Sequence, residues 1–460
     1  MKRSGIVLKL SRYFGTPAFC RSALLITLPI LAQNLLTSSF SLIDTLMISS
    51  LGAIELTAMG LAASWIQLLN VALLGITSAA GVLVAQFWGG RKLGQVRRSY
   101  GGGLGFCLMA ALLFLMVTAL FPQLVMSLYS EDAAVMEAGA GYLRVVAFGF
   151  PALGLQHTAN AVLRSTERVR TPMYGTIVSV LTNIVLNYTL IYGHFGAPRL
   201  GMTGAALASC IANWTGVAVT YTLGFAQHTV LRTPIRQMFA FDRVFLRQYI
   251  TVAWPIMANE LLWGAGTAVL NMIYGHMGTL EYAALTMCTT LENIITTVFL
   301  SLANSANVLV GKEIGRGDRE RAYQNALAIT CWTPVIAAVF GGAMLALRGP
   351  ITAIFHQTPE VTALARQLIL IMALTLPLRF LQYIHICGIL RSGADGKRAA
   401  LYDFVGVWCI SVPAAFLGLW LNVPLVWVYL TVVLLDSLVK DVLVLRRFFS
   451  KKWMIRIGET

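Results

Sequence analysis

Apolar runs of about 20 residues or more recur along the whole 460-residue chain, each long enough to cross a ~30 Å hydrocarbon core as a helix. Lipid offers the backbone no hydrogen-bond partners, so a spanning segment is either an α-helix or part of a closed β-barrel. A barrel would show short segments alternating between apolar and polar residues, and the sequence has none. The chain is therefore expected to be an all-α polytopic membrane protein. Its charged fraction of 12% is roughly half that of soluble domains, which fits.

Glycine, proline and charge punctuate the chain into twelve expected spans. They lie at 22–48, 56–87, 99–128, 136–163, 172–193, 201–227, 248–275, 283–311, 323–347, 361–390, 399–421 and 424–448. Counted over the tails and alternate loops, 28 of the 34 Lys and Arg residues fall on one side. The opposite loops hold only Arg199 and Arg348, together with Glu55, Glu131, Asp132, Glu137, Glu281 and Glu360. Basic loops stay cytoplasmic, so both termini are expected there, in a multi-pass protein of the cell membrane. The basic N-terminal tail (Lys2, Arg3, Lys9, Arg12, Arg21) resembles the start of a signal peptide, but the run after it is too long for one and should remain in the mature protein.

The net charge of +15 sits in these loop clusters without an interleaved aromatic platform, so no nucleic-acid partner is expected. The seven cysteines are scattered singly without CxxC spacing, which points to packing and not to metal or disulfides. No GxxxxGK[ST] motif suggests direct use of ATP, and no loop carries the clustered His/Asp of a membrane-embedded transferase. The chain is not expected to be an enzyme or to need a cofactor.

The sequence also repeats itself. An offset of 226 residues pairs Pro29-Ile30 with Pro255-Ile256, Gly52 with Gly278, Glu55 with Glu281, Val82-Leu83-Val84 with Val308-Leu309-Val310, Pro151 with Pro377 and Gln156 with Gln382. One extra residue then brings Leu163-Arg164-Ser165 onto Leu390-Arg391-Ser392. Six spans per repeat make the halves parallel, related by a pseudo-two-fold axis along the membrane normal, an arrangement suited to alternating access. The expected lobes are residues 1–227 and 248–460, with 228–247 as a cytoplasmic linker.

Acids inside apolar spans are the functional candidates. Asp44 lies in span 1 among Leu42, Ile43, Leu46, Met47 and Ile48. A carboxylate at that depth costs ~2.5–3.5 kcal/mol on insertion scales unless it is protonated, paired or facing water. Asn183 and Asn187, at i and i+4, share one face of span 5 and offer carbonyl oxygens to a hard cation, or else hold helices together. Glu260 is similarly deep in span 7, with a role in cation or substrate binding or in a salt bridge to Arg379. Asp403, Asp436 and Glu292 read as structural acids, the first two either near a helix end or paired with a base such as Lys440, and His157 and His385 as hydrogen-bonded core residues. Trp65, Gln67, Asn70, Tyr274 and Met287 would suit a cavity for flat cations, although most such residues face lipid or neighbouring helices. Pro29 is a hinge candidate near Asp44.

The Pro-Ile helix, the Leu51-Gly52-Ala53 and Met277-Gly278-Thr279 turns, Ile43-Asp44-Thr45, Asn183-Ile184-Val185-Leu186-Asn187, Leu200-Gly201-Met202-Thr203-Gly204 and Leu390-Arg391-Ser392-Gly393-Ala394-Asp395 together resemble the multidrug and toxic compound extrusion (MATE) family over nearly the whole chain. The resemblance implies a V-shaped pair of six-helix lobes, working as a single chain. It also implies export of small, often cationic, drug-like molecules in exchange for H⁺ or Na⁺. Carried over by motif, the cation-coupling residues would be Asp44, Asn183, Asn187 and Ser209, with transported Na⁺ possible at the first three; Glu260 and Gln382 would serve cation or substrate in the second lobe. The second span 5 position is often Asp in relatives and is Asn187 here, so H⁺ is at least as plausible as Na⁺. The alternatives are a flippase of a lipid-linked glycan precursor and a major-facilitator transporter. The flippase would want more arginines inside spans than Arg144, Arg366 and Arg379 provide, and the loop after span 2 lacks the Asp of the major-facilitator pattern.

Overall fold

The computed structural model describes residues 13–355 and 357–457. The basic residues Lys2, Arg3, Lys9 and Arg12 lie outside the described residues. Among those described there is no strand, and twelve long helical columns follow one another. They are α1 (Pro17–Ser49), α2 (Ala53–Gly89), α3 (Leu93–Leu120), α4 (Ala133–Ser165), α5 (Arg170–Tyr192), α6 (Gly201–Ala226), α7 (Arg243–Gly275), α8 (Thr279–Arg316), α9 (Arg319–Ile354), α10 (Pro359–Leu390), α11 (Gly396–Trp420) and α12 (Leu425–Phe449).

Ten of the columns are apolar enough to cross a membrane by composition; α7 and α12 are not among them. The two have 33 and 25 residues, about 50 and 38 Å at 1.5 Å per residue, so length does not exclude them. Their apolar runs are broken by charge: Arg243, Arg247 and Glu260 in α7, and Asp436, Lys440 and Asp441 in α12. Span 3 differs from expectation. It stops at Leu120 instead of running to 128, and a separate short helix, Pro122–Ser127, follows. Phe121 precedes a proline, which disfavours the helical conformation, and it turns out at φ −128°, ψ 49°.

The repeat is visible in the backbone. Gly52 and Gly278 enter α2 and α8 at φ +151° and +148°, values that a side chain strains to adopt, and each is followed by a first-turn acid, Glu55 or Glu281. The prolines act unequally. In α4 the ring of Pro151 removes the amide that would bond the Ala147 carbonyl, and Phe150 N–H bonds that oxygen instead, making a 3₁₀ turn at Ala147–Gly149. α10 continues through Pro377 and then opens into a π turn at His385–Leu390; α11 has another at Val405–Ser411, just before Pro413. Pro29 and Pro255 lie inside uninterrupted α1 and α7.

By packing, the chain divides into two compact units. One is residues 28–257; the other is 258–460 with the segment up to Thr27. The cuts fall inside α1 and α7, within three residues of Pro29 and Pro255, and not in the 228–247 linker that divides the sequence repeats. The linker packs into the first unit, where some apolar side chains in it and just past it are buried. Met238, Phe245 and Tyr249 are 5%, 2% and 1% exposed, and the Tyr249 hydroxyl donates to the Ile76 carbonyl at 3.0 Å.

In the second unit the Phe299 and Phe380 rings stack at 3.9 Å, and the C-terminal tail folds back so that Trp453 is fully buried. Ile455 N–H donates to the Gly393 carbonyl at 3.1 Å and Arg447 pairs with Asp395 at 2.7 Å. A methyl group on Gly393 would collide with the Trp453 backbone. Gly393→Ala is therefore expected to undock the tail and to speed tryptic cleavage after Lys451 and Lys452 on the order of tenfold in limited proteolysis, the effect of ~1.4 kcal/mol on local opening. Cleavage at the wild-type rate would refute that account of the tail.

Candidate functional site

In the first unit, α5 and α6 run close together because small residues face each other. Any side chain on Gly175 would strike Thr220 and the Gly216 backbone, and Ser179 Oγ donates to the Ala212 carbonyl at 2.8 Å. That closeness sets Ser209 of α6 against Asn183 of α5. α1 lies along α5 through three successive contacts: Gln33 Nε2 to Thr176 Oγ1 at 3.2 Å, Asn187 to Asp44, and the Tyr192 hydroxyl to the Met47 carbonyl at 3.2 Å.

Asp44, Asn183, Asn187 and Ser209 meet where these three helices meet. Asn183 and Asn187 are fully buried, with Asp44 at 9% and Ser209 at 5% exposure. Asn187 Nδ2 donates to Asp44 Oδ1 and, at 3.0 Å, to Asn183 Oδ1. Ser209 Oγ donates to Asp44 Oδ2 at 3.1 Å, and Asn183 Nδ2 donates to Ser209 Oγ at 3.2 Å. Among the described residues every hydrogen-bond partner of Asp44 is uncharged, and Asn187 Oδ1 is buried without a partner. One carboxylate, two amide oxygens and a hydroxyl form a hard-oxygen set of the kind that takes H⁺ or an alkali cation. No group of three His, Cys, Asp or Glu suited to a transition metal occurs among the described residues.

The second unit handles its buried acids differently, pairing most of them with bases. Glu260 of α7 pairs with Arg391 at 2.8 Å, which corrects the expected alternative of Arg379. Arg379 of α10 pairs instead with Glu292 of α8. Lys440 of α12 bridges Asp403 of α11 at 2.8 Å and Asp436 at 3.0 Å. With its amide turned to satisfy both neighbours, Asn259 accepts from Arg391 at 3.1 Å and donates to Asp403 at 3.3 Å, joining the two pairs into one network. No hydrogen bond joins Gln382 to Glu260 among the described residues, and Gln382 is half-buried. Asp441, 5% exposed, has no hydrogen-bond partner among the described residues.

Other candidates fall into the packing. His385 is fully buried, with Nδ1 on the Leu381 carbonyl at 2.8 Å and Nε2 near Thr330 Oγ1 at 3.3 Å. His157 is half-buried. Tyr274 and Met287 belong to the second unit's core, and Trp65 Nε1 donates to Thr118 Oγ1 at 2.8 Å within the first unit. Sequence reasoning missed Gln33, Thr176, Asn259 and Arg391. Arg391 alone had a signal, since it sits in the repeated Leu-Arg-Ser element.

Ten helices long and apolar enough to cross a membrane, with Asp44 buried among neutral partners in the first unit, are features of a polytopic membrane protein. The family model MatE matches the chain twice, over residues 29–189 and 255–417, in keeping with the internal repeat. The chain belongs to the MatE family. Solved structures agree in fold. A Vibrio cholerae MATE transporter, VcmN, in its bent form superposes with a TM-score of 0.86 at 16% identity, covering 95% of this chain and 99% of that one. A MOP-superfamily transporter from Pyrococcus furiosus, described as having a binding pocket of reverse polarity, matches at 0.84 and 16% identity over 96% and 98%. A multidrug resistance MATE transporter in an outward-facing conformation matches at 0.85 and 16% over 96% and 98%.

Proposed function

We propose that this transporter exports small organic molecules, cationic and drug-like ones among them, in exchange for H⁺ by alternating access, with Asp44 as the coupling group. The observation that carries this reading is a carboxylate buried in an apolar helix whose hydrogen-bond partners among the described residues are all neutral. At that depth a bare charge is costly, so the site is stable with a proton or a cation and unfavourable with neither. Two states of one group, each favoured in a different conformation, are what coupling requires. Asn187 and Ser209 aim N–H and O–H at the carboxylate, which suits an acid that gains and loses a proton. Na⁺ is the second reading. The unpartnered Asn187 Oδ1 favours it, because rotating the amides would turn carbonyl oxygens toward a cation beside Asp44.

The test is efflux of ethidium from proteoliposomes under an imposed H⁺ or Na⁺ gradient. Efflux driven by the H⁺ gradient alone supports the proposal, and efflux driven only by Na⁺ replaces the ion. If neither gradient moves the dye, the drug-exporter reading falls. A second variant probes the ion. Asn187→Asp places another carboxylate beside Asp44 and is expected to lower the Na⁺ concentration for half-maximal efflux on the order of tenfold, about 1.4 kcal/mol. An unchanged Na⁺ response would remove Asn187 from the cation site.

A further inference from the structure

At the end of the first unit where α2 gives way to α3, α4 to α5, and α6 to the linker, a cavity of about 410 Å³ opens. Its walls carry Arg97, Arg168, Arg232 and His228, with Trp88 and Leu93 as an apolar side. Among the described residues none of the three arginines forms an ion pair with an acid. Arg97 Nη1 donates to the amide oxygen of Gln237 at 2.6 Å, and Arg232 Nη1 meets His228 Nδ1. Their neighbour Arg98, by contrast, is paired with Asp242 at 2.9 Å. His228 is held at φ +50°, a conformation uncommon outside glycine. The threonines of the cavity already use their hydroxyl hydrogens: Thr166 on the Val162 carbonyl at 2.9 Å, Thr229 on Gly224 at 2.9 Å and Thr233 on Val230 at 2.6 Å. The guanidiniums are therefore the donors left for a ligand. Three like charges around one cavity repel unless an anion sits among them, and guanidinium groups match a phosphate in both charge and geometry.

We propose that this cavity binds the phosphate headgroup of an anionic phospholipid. Two features favour a lipid over free phosphate. The cavity lies at the end of the bundle whose loops carry most of the positive charge, and such a surface attracts anionic headgroups. Trp88 and the half-exposed Leu93, which is 50% exposed, also give the site an apolar wall that suits the glycerol and upper acyl carbons. Because the linker supplies Arg232 and His228, a bound lipid would fasten the linker to α3 and to the loop between α4 and α5.

The test uses full-length protein in nanodiscs of mixed phosphatidylcholine and phosphatidylglycerol, with retained lipid counted by native mass spectrometry. The expected result is preferential retention of one phosphatidylglycerol. Arg168→Gln and Arg232→Gln should each lower retention about fivefold, the equivalent of ~1 kcal/mol per arginine, and Arg98→Gln, whose arginine is already paired, should not. Millimolar inorganic phosphate should leave the lipid in place. Equal retention of the two lipids, unchanged retention in both single variants, or displacement by inorganic phosphate would each overturn the proposal, the last by making this a site for soluble phosphate. The single variants lie at the surface, and their melting temperatures show whether lost retention comes with lost folding.

Discussion

Asp44→Asn is expected to abolish gradient-driven dye efflux, reducing it to the leak of protein-free liposomes, while the protein still folds and still binds dye. Asparagine keeps the shape of the side chain and can still accept from Ser209 of α6 through its one oxygen, and the contacts of α1 with α5 through Gln33 and Tyr192 survive. What it loses is the ability to exist in two charge states, and with it the link between ion and substrate. Dye binding measured by fluorescence anisotropy should become insensitive to pH in the variant. Gradient-driven efflux at the wild-type rate would make Asp44 a structural acid and move the search for the coupling group to Asp441.

The largest loss of stability is expected from Lys440→Met. Lys440 is 4% exposed on its side chain and faces two carboxylates, Asp403 at 11% and Asp436 at 18%, with Asp441 next to it in sequence. Removing a single partner from a buried ion pair leaves uncompensated charge and costs roughly 3–5 kcal/mol, whereas removing all partners together can be nearly neutral. The melting temperature of the detergent-solubilised variant should fall by many degrees, and the triple variant Lys440→Met with Asp403→Asn and Asp436→Asn should recover most of the loss. A single variant that melts like the wild type would mean the lysine does not hold α11 to α12.

Much of this architecture was legible because lipid restricts the choices. Twelve columns followed from apolar runs and punctuation, and the three residues gathered around Asp44 were nameable because Asn183 and Asn187 share a helix face and the family resemblance implies a span 6 hydroxyl, at Ser209. Partner choice was less legible. Nothing in the local sequence of α7 distinguishes Arg379 from Arg391 as the mate of Glu260, since both lie more than 100 residues away and tertiary packing decides between them. The end of α3 at Leu120 was hidden because apolar residues continue to Leu128, and only the backbone preference before Pro122 breaks the helix. The division of the units inside α1 and α7 was not readable either. It depends on where aromatic side chains such as Tyr249 find a core, not on the composition of the linker.

The wide turn at His385–Leu390 explains an irregularity in the duplication. The halves align at one spacing as far as Gln156 and Gln382, and at one residue more from Leu163 and Leu390. The surplus residue thus lies between 382 and 390, the stretch in which α10 loosens into a π turn. A helix that gains a residue in mid-course must either rotate everything beyond it by about 100° or take up the excess in a single widened turn. Here the second has happened, and Arg391, just past the widening, meets Glu260 at 2.8 Å. A rotated continuation would have aimed that guanidinium away and left a carboxylate stranded in the membrane interior. The insertion survives as a local swelling of the helix, and the ion pair beyond it accounts for why it was absorbed there and not passed along the chain.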